Sequence, residues 1–145
     1  MKITIETPRQ GEEDEIIIRC ATMDDSIMEL IYALKMGREK LTAYSGKGIV
    51  MLPPKDVYYF ESVDNKVFAY CQKEVYEVRK KLYELEKDYS KNDFLRISKS
   101  TIVNLSKISY LTPAFNGKFE AVLKNGEKTI ISRQYVAALK KQLGI

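Results

Sequence analysis

Residues 94–105 read Phe94-Leu95-Arg96-Ile97-Ser98-Lys99-Ser100-Thr101-Ile102-Val103-Asn104-Leu105. Phe94–Ile97 and Ile102–Leu105 are short and rich in aromatic and β-branched residues, as strands require. Between them stand Ser98, Lys99 and Ser100, which suit a strand-connecting turn facing solvent. A third run of the same kind, Ile108–Leu111, follows directly.

The same rhythm extends outward in both directions. Upstream, Val57-Tyr58-Tyr59-Phe60 is an aromatic strand, Asp64-Asn65 supplies a turn, and Val67–Cys71 alternates again. Val75–Val78 can pair back onto it, and Leu82, Leu85 and Tyr89 share one face of a short helix. Leu41–Tyr44 and Ile49–Leu52 flank Ser45-Gly46-Lys47-Gly48, a hairpin signal, and Pro53-Pro54 ends it because proline cannot donate to a ladder. Downstream, Phe119–Lys124 and Lys128–Ile131 flank Asn125-Gly126, the dipeptide best suited to a tight hairpin turn. Ser132 begins a closing helix with Val136, Leu139 and Leu143 on one face.

The first 40 residues read differently. Ile3–Ile5 alternates as a short strand, Pro8–Glu15 is a polar connector, and Ile16–Cys20 is a β-branched run. Asp24 or Asp25 can cap a helix carrying Ile27, Leu30, Ile31 and Leu34, with Gly37 as its stop. The expected organisation is a β-β-α segment over 1–40 followed by a mainly β body over 41–145, an α+β protein overall. Charge divides at the same place: residues 1–40 hold six Lys/Arg against nine Asp/Glu, and residues 41–145 hold eighteen against eleven. A basic body behind an acidic segment suits a polyanionic partner.

Several function classes fall away. With no histidine in 145 residues, no Ser-His-Asp or Cys-His nucleophile can be built, and no Ser-x-x-Lys substitutes for one. Gly46-Lys47-Gly48 lacks the length and the Lys-Ser/Thr ending of a phosphate-cradling loop. Asp24-Asp25 fits capping better than a phospho-receiver pocket, which needs a doubly wound domain of about 100 residues or more. Cys20 and Cys71 stand in no metal-like spacing and are expected to be buried free thiols. No enzyme activity, metal, cofactor or small-molecule substrate is expected. No apolar run is long enough to span a bilayer, and Met1–Glu6 lacks the apolar core of a secretory signal, so a cytoplasmic location is expected.

Three motifs, in order, carry a family resemblance. Asp56-Val57-Tyr58-Tyr59-Phe60-Glu61-Ser62 followed by Asn65-Lys66 resembles the opening strand and loop of LytTR DNA-binding domains. Residues 94–105 resemble their central motif, and Ile131-Ser132-Arg133-Gln134-Tyr135 resembles their closing strand–helix junction. Leu41-Thr42-Ala43-Tyr44 aligns with their first strand, so the resemblance covers 41–145. It implies LytTR-type antiparallel sheets with short helices, and a regulator, usually an activator, that binds double-stranded DNA at promoter direct repeats. In such domains loops between strands enter successive major grooves. The matching positions here are Asn65 and Lys66, then Ser98, Lys99 and Ser100, then Arg133 and Gln134.

Side-chain chemistry agrees with those roles. Lysine and arginine donate to guanine or phosphate, Asn and Gln can pair with adenine, and hydroxyls suit phosphate oxygens. Asn104 is expected to be a structural hydrogen-bonder. The aromatics Tyr58, Tyr59, Phe60, Phe68 and Tyr70 are expected to pack in the core. Ser98 departs from the family, many of whose members have histidine there, which bears on base preference. The chain is similar to stand-alone members without a receiver, some of which are restrained by a small membrane protein. Residues 1–40 are therefore expected either to complete the core or to supply a homodimer or inhibitor surface. The alternatives are an RNA-binding protein using exposed aromatics or a module binding no nucleic acid.

Overall fold

The computed structural model describes residues 1–35, 40–90 and 92–145. They fall into two units, Met1–Gly37 and Arg38–Ile145.

In the first unit a helix, α1 (Asp25–Lys35), forms where its signals stand. Asp24 Oδ1 accepts from the Ile27 N–H at 3.0 Å and from the Ser26 hydroxyl at 2.7 Å. These bonds hold the Asp24 carboxyl below the usual carboxylate range, the Ser26 bond contributing most. Gly37, expected as the stop, lies outside the described residues. Residues 1–24 contain neither of the expected strands; Ile3, Ile5, Ile16 and Ile17 are exposed. A β-branched run supplies propensity but no partner edge, and two isolated strands are marginal in water. Cys20 is likewise exposed, not buried, because the strand that would have carried it inward does not form.

The second unit is built on a seven-stranded antiparallel sheet of β1 (Leu41–Ser45), β2 (Gly48–Leu52), β3 (Tyr59–Val63), β4 (Lys66–Tyr70), β5 (Val75–Val78), β6 (Phe94–Arg96) and β7 (Thr101–Asn104), in the spatial order β2-β1-β5-β4-β3-β7-β6. A three-stranded sheet of β8 (Ile108–Pro113), β9 (Phe119–Leu123) and β10 (Lys128–Ile131) follows. Two helices complete it, α2 (Leu82–Asp88) and α3 (Arg133–Leu143). The mainly β, α+β architecture is the expected one.

Every residue of β7 is buried because this strand lies between two cores. Ile102 belongs to a core where Leu82 and Leu85 of α2 and the adjoining Tyr89 cover Phe60, Val67 and Val78. The Phe60, Tyr89 and Phe94 rings meet there with centroids 5.5–6.2 Å apart. Val103 belongs to the other core, with Tyr58, Ile97, Ala121, Leu123, Ile131 and Leu139. Of the apolar face expected on α3, Leu139 is buried and Val136 partly so, whereas Leu143 in the last turn is exposed.

The turn chemistry follows the sequence closely. Gly126 has φ +89°, a conformation that favours glycine. Asn125 Oδ1 accepts from the Glu127 N–H at 3.0 Å. Asp64 and Asn65 both have positive φ (50° and 63°), as a two-residue hairpin turn matching the strand twist requires.

Candidate nucleic-acid interface

Sheet register brings the chemically distinctive segments to one end of the unit. Glu61 of β3 stands opposite Thr101 of β7, and the Ser62 N–H donates to the Ser100 carbonyl at 2.8 Å. The Asp64-Asn65 turn and the Ser98–Ser100 turn therefore project from the same end of the large sheet. The start of α3 is held beside them by the Ser132 N–H donating to the Ile97 carbonyl at 2.9 Å.

Here an open groove of about 570 Å³ forms. Ser98, Lys99 and Ser100 line one side, and Ser132, Arg133 and Gln134 line another. Asn116 and Lys118 close the rim, contributed by a helical turn before β9 that sequence reasoning missed. Asn65 and Lys66 are exposed but stand two strands away and do not line this groove.

The groove is cationic. Lys99, Lys118 and Arg133 line it and no carboxylate does, among the described residues. Arg133 makes no ion pair among them. Ser132 forms no side-chain cap, so the first N–H groups of α3 face outward, a favourable place for a phosphate. The Arg133 stem lies against Gly117: a Cβ there would come within 3.3 Å of Arg133 Cγ and Cδ, and Gly117 has φ +72°. Glycine is thus needed twice, for backbone conformation and for close approach.

The Ser98–Ser100 turn is held from within. Ser98 Oγ accepts from the Ser100 N–H at 3.2 Å, so this hydroxyl is partly engaged in the turn. Arg96, not singled out by the sequence, donates through Nε to the Ser98 carbonyl at 2.7 Å and through a second nitrogen to the Lys99 carbonyl. Its third contact is an ion pair with Glu86 at 2.7 Å. The planar fork satisfies two turn carbonyls at once and so sets where Lys99 points. Arg96→Ala is expected to weaken DNA binding about as much as Lys99→Ala. Unlike Lys99→Ala, it should also speed amide exchange at residues 98–101, measured by hydrogen exchange.

Asn104 is structural, as expected. Its Nδ2 donates to the Val57 carbonyl at 2.9 Å, and its Oδ1 accepts from the Ser106 N–H at 3.1 Å and the Ser106 hydroxyl at 2.7 Å. Tyr59 and Tyr70 stack on each other with centroids 4.3 Å apart. Burial, then a hydrogen bond to Glu127, pushes the Tyr59 hydroxyl pKa up; burial, then Glu61, does so for Tyr70. Both phenols remain neutral packing groups. The Cys71 thiol is half-buried and pushed up to about 11, chiefly by burial. No cluster of three or more metal-ligating side chains, and no helix long and apolar enough to cross a membrane, occurs among the described residues.

The sequence profile of the LytTr DNA-binding domain matches residues 47–144, a span holding the whole groove. The chain belongs to the LytTr DNA-binding domain family. A solved LytTr DNA-binding domain from Bacillus cereus superposes with a TM-score of 0.70 at 28% identity, covering 75% of this chain and all of that one. The sensory transduction protein LytT of Bacillus subtilis is 34% identical over 75% of this chain, which spans 45% of that protein's length. A Staphylococcus aureus protein (strain NCTC 8325) described as an uncharacterised HTH-type transcriptional regulator is 31% identical over 100% of this chain and 99% of its own length. In this LytTr-family chain no two α-helices follow one another among the described residues, so no helix-turn-helix is present among them. The groove is bordered instead by turns between strands and by one helix start.

Proposed function

We propose that this LytTr-family regulator binds double-stranded DNA in a sequence-specific manner by inserting its inter-strand turns into successive major grooves. The observation carrying this reading is the carboxylate-free groove in which Lys99, Lys118, Arg133 and the uncapped start of α3 converge. Arg133 and Gln134 read base edges from the helix start. Lys99 and Ser100 approach from the central turn, and Asn65 and Lys66 add contacts from the neighbouring hairpin. Promoter direct repeats occupied by a homodimer, with activation of transcription, are the biological setting that fits. The aromatics expected to pack do so or are part-buried. The exposed rings Tyr83, Tyr110 and Phe115 do not line the groove, which disfavours single-stranded RNA as its ligand, since stacking uses several bases in succession.

The test is the salt dependence of Lys99→Ala on duplex DNA from upstream of the gene. A fall of about 1 in the slope of log K against log salt identifies a phosphate contact. An unchanged slope with relaxed base choice identifies direct readout. No change in either removes Lys99 from the interface.

Residues 1–37 expose Met28, Leu30 and Leu34 on α1, a surface that suits a second copy or a small restraining membrane protein. A chain lacking 1–37 is expected to melt as a folded body and still bind a single site, yet lose cooperative occupancy of paired sites in a footprint. A truncated body that is unfolded would make those residues part of the core instead.

A further inference from the structure

The strand register sets up a row of residues across the large sheet. Val67 stands opposite Val78, so one step toward the sheet end Lys66 stands opposite Arg79. Tyr44 stands opposite Glu77, which carries Thr42 opposite Arg79 on its other side. Val63 faces Lys66, and the Ser62–Ser100 hydrogen bond carries Lys99 opposite Val63. Directly opposite strand residues share a face. Since Ala43, Val67 and Val78 point into the core, Thr42, Lys66 and Arg79 lie on the other face, and all three are exposed.

Like charges set directly opposite each other destabilise a sheet. Neither Lys66 nor Arg79 has a carboxylate within ion-pair distance among the described residues. The Arg79 guanidinium instead lies over the Tyr44 ring, its Cζ 3.9 Å from the centroid. That arrangement fixes the fork while leaving its N–H edge open to an anion. An open groove of about 530 Å³, lined also by Lys40, Thr42, Lys80 and the carboxylate of Asp88, adjoins it. Of these, Lys80 is already paired with Asp88 at 2.8 Å.

We infer that Arg79, with Lys66 opposite it, binds a backbone phosphate of the same DNA duplex, outside the segment that the groove at Arg133 reads. This rests on the DNA-binding reading above. From Lys99 the row crosses two strand spacings to Lys66 and three to Arg79, roughly 10 and 14 Å. Laid along a duplex, that is about three to four base pairs at ~3.4 Å each, roughly a third of a helical turn. About a third of a turn from a major groove that faces the protein a phosphate backbone comes round, before the minor groove does at half a turn. Paired cations fit that position better than base-reading side chains do.

The experiment measures Kd for duplex DNA from upstream of the gene across roughly 50 to 200 mM salt, with the full chain and Arg79 variants. Arg79→Ala is expected to lower the salt slope by about 0.9 and to weaken binding about fivefold near physiological salt. Base preference and melting should be unchanged. Arg79→Lys is expected to keep the slope, because a point charge suffices for a phosphate. Should the alanine variant melt early, Arg79→Gln, whose longer stem covers more of Tyr44, must reproduce the loss of slope. Wild-type binding with a steep slope that Arg79→Ala and Arg79→Gln leave untouched overturns the inference while the DNA-binding reading stands. Failure of the wild type to bind any duplex overturns the reading itself, and the inference with it.

Discussion

Arg133→Lys is expected to weaken binding at the specific DNA site by about 1–3 kcal/mol, or roughly 5- to 150-fold, while conserving charge. Arg133 opens α3 beside the Ser98–Ser100 turn, is exposed and makes no ion pair among the described residues; its stem is braced against Gly117. A braced guanidinium presents two parallel donors to guanine O6 and N7, which a lysine point charge cannot imitate. Binding to random-sequence DNA should change little, since the net charge is the same, and the melting temperature should match wild type because the side chain adds little to the core. A variant that binds the specific site like wild type, or melts several degrees early, removes Arg133 as the base reader.

Asn104→Ala is expected to do the opposite, lowering stability and sparing base preference. Asn104 is 2% exposed and bridges Val57 and Ser106 across the entry and exit of the central strands. Truncation leaves the buried Val57 carbonyl without its partner, at about 1–3 kcal/mol, and removes the hydrogen bonds to the exposed Ser106, at about 0.5–1.5 kcal/mol. The sum, about 2–3 kcal/mol when relaxation is allowed for, corresponds to a loss of roughly 5–10 °C in Tm. Ser106→Ala, which removes only one hydroxyl contact, should cost about 1 kcal/mol. An Asn104→Ala protein that melts like wild type but loses its DNA site would reassign this residue from structure to readout.

The contrast between these two residues shows what a linear sequence carries. Asn104 and Arg133 sit in motifs whose local patterns, a β-branched run and a strand–helix junction, imply their surroundings, so Asn104's structural role and Arg133's place at a helix start were legible. The hairpins at Gly46 and Asn125-Gly126 were legible for the same reason: φ preferences are written in residue type. Arg96 was not, because its function depends on a turn folding back to offer two carbonyls to one side chain. Asn116 and Lys118 reach the groove through a single helical turn with no periodicity to announce it. The facing of Lys66 by Arg79 depends on strand register, which alternation alone leaves open across a connection. Residues 16–20 misled in the other direction. Their β-branched run carries the propensity of a strand, but pairing needs a neighbouring edge, and none is offered within 1–24.

The central claim, that this LytTr-family chain recognises duplex DNA by sequence, is tested most directly by titrating the full chain against labelled DNA from upstream of its gene. The same titration is run on one strand of that DNA and on a scrambled duplex, at two salt concentrations. Saturable binding is expected, with a preference for the duplex over its single strand and over the scramble. Raising salt from about 50 to 200 mM should weaken it by a factor of 10 or more if two or more phosphates are engaged. Equal affinity for all three DNAs, or binding indifferent to salt, would contradict it.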